Sequence, residues 1–214
     1  MIWLNTAMNR TTLNLSRHRT LRFRQKFEMA EFFGFETRNK YEIASENDGA
    51  IGFAAEQQKG VGGFLLRQFL GHWRTFTLHF FNANRELALV ANHPFRIWFQ
   101  RLEIETPDHR ALGAIQQRFS VLSKRFDVED AAGNVLFHVD SPLWSPWTYR
   151  FATPTREVAV VRKRWSGIFS EGFSDRDNFS IDYTEGSLGE DHRLLVLAAA
   201  LFIDLKYFER KARN

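Results

Sequence analysis

The most continuous hydrophobic stretch of the chain lies near its C-terminal end, in residues 192–210. Leu and Ala dominate this stretch and it contains neither Gly nor Pro, which predicts a helix. Residues 194–203 are apolar on every side of that helix, so it needs apolar neighbours all round. Asp204 ends the apolar run well before the length of about 20 residues that a transmembrane helix requires. We therefore predict a helix inside a protein shell. Its predicted core residues are Leu194, Leu197, Leu201, Phe202 and Leu205.

Much of the remaining chain alternates apolar and polar residues with the period of a strand that has one buried face. Two segments, residues 76–94 and 126–142, repeat one pattern: an alternating strand, a turn, and a second strand that runs into a proline. Such a repeat indicates a meandering antiparallel sheet built by duplication. Further strands are predicted at residues 21–27, 32–36, 39–43, 51–56, 102–105, 113–118, 158–165 and 179–183, and residues 65–73 are compatible with a helix or a strand.

A sheet that has to surround an apolar helix is best closed on itself. The fold class that we predict is mainly β: a closed antiparallel barrel of about twelve strands around a buried hydrophobic C-terminal α-helix. The composition supports one ordered domain, since 44% of the residues are hydrophobic and the chain contains 22 Phe and 6 Trp.

The net charge of +4 is unevenly distributed, because six Arg and Lys residues precede Glu28, the first acid of the chain. We divide the chain into a basic N-terminal arm, residues 1–19, and a domain, residues 20–214. Three interpretations of the arm stay open: a contact with anionic lipid or nucleic acid, an Arg-rich organellar targeting segment, and a solvated tail.

Conventional catalysis has little support in the sequence. The chain has no cysteine, which excludes disulfides, thiol nucleophiles and Cys-ligated zinc and favours a cytosolic setting. It has neither a Gly-x-Ser-x-Gly nor a His-Glu-x-x-His motif, and its seven histidines are dispersed without metal-ligand spacing. We expect a protein that is not an enzyme and needs no cofactor, apart from the calcium considered below.

Several motifs follow one another in order from about residue 21 to residue 210. They are Phe35-Glu-Thr-Arg-Asn-Lys-Tyr-Glu-Ile43, Phe53-Ala-Ala-Glu56, the two hairpins that end in proline, Trp165-Ser-Gly-Ile168, Phe173-Ser-Asp-Arg-Asp-Asn-Phe179 and the Leu-rich terminal helix. Together these motifs resemble the phospholipid scramblase family. The resemblance implies the tubby-like fold, a twelve-stranded barrel threaded by a hydrophobic C-terminal helix, in agreement with the periodicity. It also implies a membrane-associated lipid-binding protein that moves phospholipids between leaflets in both directions without ATP.

The alternative is a soluble tubby-like module that binds anionic headgroups and acts as a membrane-tethered regulator or adaptor without transporting lipid. This alternative arises because lipid exchange requires a polar path through the hydrocarbon, whereas the apolar helix is predicted to lie inside the barrel. In both interpretations the partners are a phospholipid membrane surface and anionic lipids, with no specific nucleic acid. We expect a monomer at the cytoplasmic face of a membrane, and the Arg-rich start keeps organellar targeting open.

The loops that carry clustered, lipidated cysteines in the animal members of the family correspond to residues 94–99 and 141–147, and here they contain tryptophan. We predict that these tryptophans insert into the headgroup layer as aromatic anchors, with arginines nearby for anionic lipid. The alternative is that they cap the barrel and pack on prolines. The candidate lipid-binding residues in and beside the two loops are Trp98, Trp144, Trp147, Arg96 and Arg101.

Two further candidate sites lie towards the end of the chain. Arg162 and Arg164 share one face of a predicted strand, where they would bind one headgroup phosphate or form part of a solvated outer surface. The family resemblance implies a calcium loop at residues 175–186, with Asp175 and Asp177 as the candidate ligands. The spacing of an EF-hand would place a bidentate acid where Gly186 stands, which favours a structural turn.

Overall fold

The structure, a computed structural model, describes residues 13–25, 37–57, 75–163 and 179–207. In these ranges a short 3₁₀ helix, Leu15–Arg17, precedes twelve β-strands and one α-helix. The strands are β1 (Thr20–Gln25), β2 (Thr37–Ser45), β3 (Ala50–Gln57), β4 (Phe76–Asn82), β5 (Leu87–His93), β6 (Arg101–Glu105), β7 (Ala111–Arg118), β8 (Ser123–Asp130), β9 (Val135–Pro142), β10 (Thr148–Ala152), β11 (Glu157–Lys163) and β12 (Phe179–Tyr183). The helix α1 spans Glu190–Tyr207.

The twelve strands form one closed antiparallel barrel, which confirms the predicted fold class. Each strand pairs with its neighbours in the chain, and β1 pairs with β12 to complete the circle. At this seam Leu21 lies opposite Ile181, and the rings of Phe23 and Phe179 stack with their centroids 4.0 Å apart. The seam therefore joins the two ends of the sheet through side-chain packing as well as backbone hydrogen bonds.

Helix α1 runs through the barrel and forms its core, as predicted. Every residue from position 193 to position 205 is buried. The predicted core residues Leu194, Leu197, Leu201, Phe202 and Leu205 are all among them. Complete burial gains about 2 kcal/mol for a side chain of this size, so the wall and the helix stabilise each other. No helix in the described ranges combines the length and the hydropathy that a membrane span needs.

The two predicted hairpins are confirmed as β4–β5 and β8–β9, and the second begins three residues earlier than the alternation indicated. Strand β10 was not predicted. Its five residues stand between Pro146 and Pro154, which cannot donate a backbone hydrogen bond to a β-ladder. The strand predicted at residues 32–36 and the uncertain segment at residues 65–73 lie outside the described residues.

The end of the predicted arm packs against the start of α1. Leu13 and Leu15 are buried, and the Glu190 carboxylate accepts hydrogen bonds of 2.8 Å from the backbone N–H groups of Leu15 and Ser16. The packed part of the chain therefore begins no later than Leu13, inside the range assigned to the arm from the sequence.

Candidate functional site

Three loops gather at one end of the barrel because the sheet is an antiparallel meander. The connections after β5, β7 and β9, residues 94–100, 119–122 and 143–147, all lie at the same end. We name these three loops the loop rim. Helix α1 ends there too: Lys206 Nζ donates to Gln117 Oε1 at the end of β7, and the Tyr207 ring packs edge-on against Phe126, with centroids 6.1 Å apart.

The loop rim is strongly apolar. Ten large hydrophobic side chains are exposed among the described residues, and nine of them belong to the loop rim. The nine are Phe95, Ile97, Trp98, Phe99, Phe119, Val121, Leu122, Leu143 and Trp144. The tenth, Val135, lies at the opposite end of the barrel, next to the β8–β9 turn. A concentration of exposed apolar side chains of this kind is typical of a site of interaction with a partner or a membrane.

The predicted tryptophan anchors do not all occupy the same environment. Trp98 is 78% exposed and Trp144 is 85% exposed, and Arg96 is exposed in the same loop as Trp98. Trp147 is half-buried and directly precedes β10, and its carbonyl accepts a hydrogen bond of 2.8 Å from the N–H of Lys163. The geometry therefore suits insertion for Trp98 and Trp144, and packing against the barrel for Trp147.

Glutamine side chains hold the first loop in shape. Gln100 is buried and its Nε2 donates to the carbonyl of Arg96 at 3.1 Å, while Gln116 Nε2 donates to the carbonyl of Phe99 at 3.1 Å. Phe99 has a φ of 41°, in the left-handed region that bulky residues seldom adopt. These contacts fix the backbone while the apolar side chains point away from the barrel, so the loop is organised before it meets a partner.

The sequence interpretation missed most of this surface, because it selected only tryptophans and arginines. The loop of residues 119–122 was not considered at all. A signal was present: Phe119-Ser-Val-Leu122 joins two alternating segments at a position where a solvated turn would carry Gly, Asn or Asp. An apolar turn between two strands that already bury their own apolar faces is a direct indication of an external contact.

Two other candidate arginines lie on the outer wall of the barrel in ion pairs. Arg101 Nη1 is 2.7 Å from Glu129 Oε2, and Arg162 pairs with Asp182. Arg164, Asp175 and Asp177 lie outside the described residues, so the phosphate pair and the calcium site stay predictions. In the described part of the chain, no group of three or more His, Asp or Glu side chains is placed to hold a metal ion.

The interior of the barrel becomes polar directly beneath the loop rim. We name this layer the polar mouth. It consists of Gln117, Lys124, Tyr149, Lys163, Asp204, Lys206 and Tyr207. Lys163 pairs with Asp204, whose Oδ2 also accepts a hydrogen bond of 3.0 Å from Tyr41 Oη, and Lys124 Nζ donates to Tyr149 Oη at 3.0 Å. Burial raises the pKa of Tyr149, and it raises the pKa of Tyr207 to about 12, so both phenols are neutral at physiological pH.

The fold and this end of the barrel can now be compared with known proteins. The family model described as Scramblase matches residues 3–210. The chain belongs to the scramblase family. Membership agrees with the expectation that the protein is not an enzyme, because scramblases bind or move lipids and do not catalyse a reaction.

Named relatives of this scramblase-family chain come from mammals and yeast. Phospholipid scramblase 2 of Homo sapiens is 27% identical over 202 residues, which cover 87% of this chain and 66% of the relative. Phospholipid scramblase 1 of Mus musculus is 28% identical, with 87% and 60% covered. Altered inheritance rate of mitochondria protein 25 of Saccharomyces cerevisiae is 22% identical, with 87% and 69% covered. The chain thus spans less than two thirds of the length of the two mammalian relatives, and no solved structure matches it.

Proposed function

We propose that this protein binds phospholipid membranes through the loop rim and acts there as a phospholipid scramblase, moving lipids between leaflets in both directions without ATP. The observation that carries the proposal is the concentration of nine exposed apolar side chains at one end of the barrel. If each side chain contributes only about 1 kcal/mol on leaving water, the nine together supply the free energy of micromolar binding. Trp98 and Trp144 are also the residue type that is enriched at membrane interfaces.

Positive charge near this end makes anionic lipid the preferred surface. Arg96 is exposed on the loop rim. Basic residues close to an anionic membrane contribute about 1 kcal/mol each. We place the protein at the cytoplasmic face of a membrane as a monomer. The mitochondrial reference in the name of the yeast relative favours an organellar membrane.

A matched pair of substitutions tests the membrane contact. Val121, on the loop rim, is 74% exposed, and Val135, at the opposite end, is 43% exposed. Val121→Asp and Val135→Asp change the net charge equally, so any difference between them reports position. We expect Val121→Asp to reduce binding to vesicles of phosphatidylcholine and phosphatidylserine at least tenfold in a flotation assay, because the carboxylate would enter an apolar layer. Val135→Asp should stay within about twofold of the wild type.

Tryptophan insertion is tested separately. The double substitution Trp98→Ala and Trp144→Ala should reduce flotation, because it removes the two most exposed aromatic side chains of the loop rim. Trp147→Ala serves as the comparison and should affect stability more than vesicle binding, since Trp147 is half-buried. A folded double variant that binds vesicles as well as the wild type would exclude aromatic anchoring.

A second function, lipid binding without transport, is favoured by the burial of α1, whose apolar side chains contact the barrel wall in place of acyl chains. The two functions are separated by reconstituting the protein in vesicles with fluorescent lipid and adding a membrane-impermeant quencher. Transport predicts loss of the inner-leaflet fluorescence, with or without calcium. Vesicle binding that leaves about half of the fluorescence protected would assign the protein to the lipid-binding module.

A further inference from the structure

The apolar side chains of the loop rim stand in three separate groups. Four of the nine belong to residues 94–100, three to residues 119–122 and two to residues 143–147. Five of the nine are aromatic, so each loop contributes at least one bulky ring. Each group stands on a different connection between neighbouring strands. A membrane that accepts all three groups must therefore make room for bulky side chains at three points.

Hydrogen bonds hold the three loops in place. The glutamine contacts described above fix the first loop, and the hydroxyl oxygens of Ser120 and Ser123 are 2.9 Å apart across the second loop. The N–H of Leu143 donates to the carbonyl of Leu122 at 3.3 Å, which joins the third loop to the second. The three groups therefore keep the spacing that the barrel gives them and do not gather into one compact wedge.

Charge is sparse on the loop rim. Arg96 is the only residue with a formal charge among the sixteen residues of the three loops. Two arginines on the adjoining strands are paired with acids: Arg101 Nη1 is 2.7 Å from Glu129 Oε2, and Arg118 Nε is 2.6 Å from Asp127 Oδ2. One arginine contributes about 1 kcal/mol at an anionic surface. Most of the binding free energy at the loop rim must therefore come from apolar insertion.

Apolar insertion and charge attraction depend differently on the state of a membrane. A charged residue acts at the headgroup surface, whereas a bulky ring needs a space between headgroups before it reaches hydrocarbon. In a flat, tightly packed leaflet that space has to be opened against the cohesion of the lipids. Strong curvature or unsaturated acyl chains leave such spaces open in advance, and binding by inserted apolar groups is sensitive to both.

We propose that the loop rim recognises loosely packed leaflets, in which curvature or unsaturated acyl chains expose hydrocarbon between the headgroups, in preference to tightly packed ones. This inference rests on the proposed membrane function and names the kind of membrane that the loop rim selects. Anionic lipid adds to the affinity through Arg96, and lipid packing sets most of it.

Flotation with vesicles of one composition and two sizes tests the selection. Dioleoyl phosphatidylcholine and phosphatidylserine are mixed in a fixed ratio and formed into vesicles of about 30 nm and about 200 nm diameter, and binding is expressed per outer-leaflet lipid. We expect the wild type to bind the small vesicles at least fivefold more tightly. At the larger size, palmitoyl-oleoyl lipids in the same headgroup ratio should bind more weakly than dioleoyl lipids, because they pack more tightly.

Salt separates packing from charge. Raising the salt concentration from about 0.1 M to about 1 M shortens the Debye length from about 10 Å to about 3 Å. Wild-type binding to the small vesicles should fall less than about fivefold, which is the contribution of a single arginine. A larger loss would show that charge governs the binding, and it would overturn the inference.

A matched pair of double substitutions tests whether the loop rim is responsible. Val121→Lys with Leu143→Lys replaces two apolar side chains of the loop rim by cations. Val135→Lys with Ala131→Lys adds the same charge at exposed positions of the opposite end. The first variant should lose at least half of the preference for small vesicles and become more sensitive to salt, and the second should keep the wild-type preference. Circular dichroism confirms that both are folded.

Selectivity and membrane binding can fail independently. Equal wild-type binding to small and large vesicles would overturn the selection by packing and leave the proposed membrane contact standing. An unchanged preference in the folded loop-rim variant would show that another surface makes the selection, which also overturns the inference. A wild type that floats with no vesicle of either size would overturn the proposed membrane function itself.

Discussion

At the scale of single residues, Arg193 joins the start of α1 to the segment before β1. Its buried guanidinium donates to the carbonyl groups of Leu188 at 2.9 Å, Leu15 at 3.1 Å and His18 at 2.7 Å, and it lies 4.3 Å from the centroid of the Tyr183 ring. Hydrogen bonds from a charged group to partners away from water are among the stronger contributions to stability.

We expect Arg193→Met to lower the free energy of unfolding by roughly 3 kcal/mol, because three carbonyl groups lose their donor. Urea denaturation followed by circular dichroism measures the change. Arg110→Met is the control at the same end of the barrel, since Arg110 makes an exposed pair with Asp191 that should contribute less than about 1 kcal/mol. Similar losses in the two variants would contradict the role assigned to Arg193.

His79, in the middle of β4, links stability to pH. Burial lowers its pKa below the ordinary value of 6.5, so the folded protein resists protonation of a side chain that the unfolded chain protonates readily. The contribution of His79 to the free energy of unfolding is therefore fully present above pH 6.5. It is lost as the pH falls from 6.5 towards the pKa of His79 in the folded state.

Thermal unfolding between pH 5 and pH 8 should therefore show lower stability at the acidic end, and His79→Gln should flatten that part of the profile. The difference between the two profiles isolates His79 from the other titrating groups. If the wild type and the variant lost stability in parallel below pH 6.5, the buried histidine would not be the cause.

Some residues at this end of the barrel could be predicted from the sequence, and others could not. Trp98 and Trp144 could be selected because tryptophan in a loop is conspicuous and its chemistry suits a membrane interface. Lys124 and Lys206 could not, since they are 82 positions apart and only the closed barrel with its internal helix brings them to the Tyr207 ring. The sequence indicates part of the polar mouth, because Asp204 and Lys206 interrupt the apolar helix one turn before its end.

At the scale of elements, α1 is held by packing more than by its own propensity. Leu201 is fully buried inside the barrel, whereas Leu143, on the loop rim, is 58% exposed. We expect Leu201→Ala to cost about 3 kcal/mol of stability through lost burial and a residual cavity, and Leu143→Ala to cost less than about 0.5 kcal/mol.

Urea denaturation measures the loss of stability in both variants. Vesicle flotation measures their loss of membrane binding, and we expect it to rank the two variants in the opposite order. Leu143→Ala should weaken membrane binding while leaving stability nearly unchanged, and folded Leu201→Ala should still bind. If Leu143→Ala unfolded the barrel, the loop rim would belong to the core and the membrane proposal would fail.

Most strands were predictable from the alternation of apolar and polar residues, and β10 was missed. Alternation over seven residues identified β4 and β5, because one face of each strand is apolar. The five residues of β10 match the length of β6 and β12, which were predicted, and their place in the sheet is fixed by pairing with β9 and β11. Their assignment needed the tertiary structure.

At the scale of the whole molecule, the position of the loop rim fixes an orientation: the end of the barrel that holds the C-terminal end of α1 should face the membrane. The absence of cysteine makes this directly measurable, since one introduced cysteine gives one labelling site. Val121→Cys and Val135→Cys place a nitroxide at the two ends of the barrel.

With vesicles present, we expect the label at position 121 to become accessible to oxygen and protected from a water-soluble relaxation agent, because the loop rim enters an apolar layer. The label at position 135 should stay accessible to the water-soluble agent. Equal protection at both positions would indicate that the barrel lies on its side or does not insert, and would contradict the orientation.

The global arrangement was predictable for one physical reason: a helix that is apolar on all sides needs a continuous wall, and a closed sheet provides it. The functional end was not predictable as a surface. Its three loops are separated by whole strands in the sequence, and they come together only when every second connection is placed at the same end.

The pairing of β1 with β12 has a consequence for biosynthesis. Strand β1 cannot form this pair until β12, some 160 residues later in the chain, has been synthesised. Helix α1, which fills the interior, is translated after β12. During synthesis the nascent meander therefore has two unsatisfied edges and an unfilled interior, and contacts of such long sequence separation form slowly. We expect a ribosome-bound chain that still lacks β12 and α1 to bind chaperones, because it exposes two unpaired sheet edges and apolar side chains.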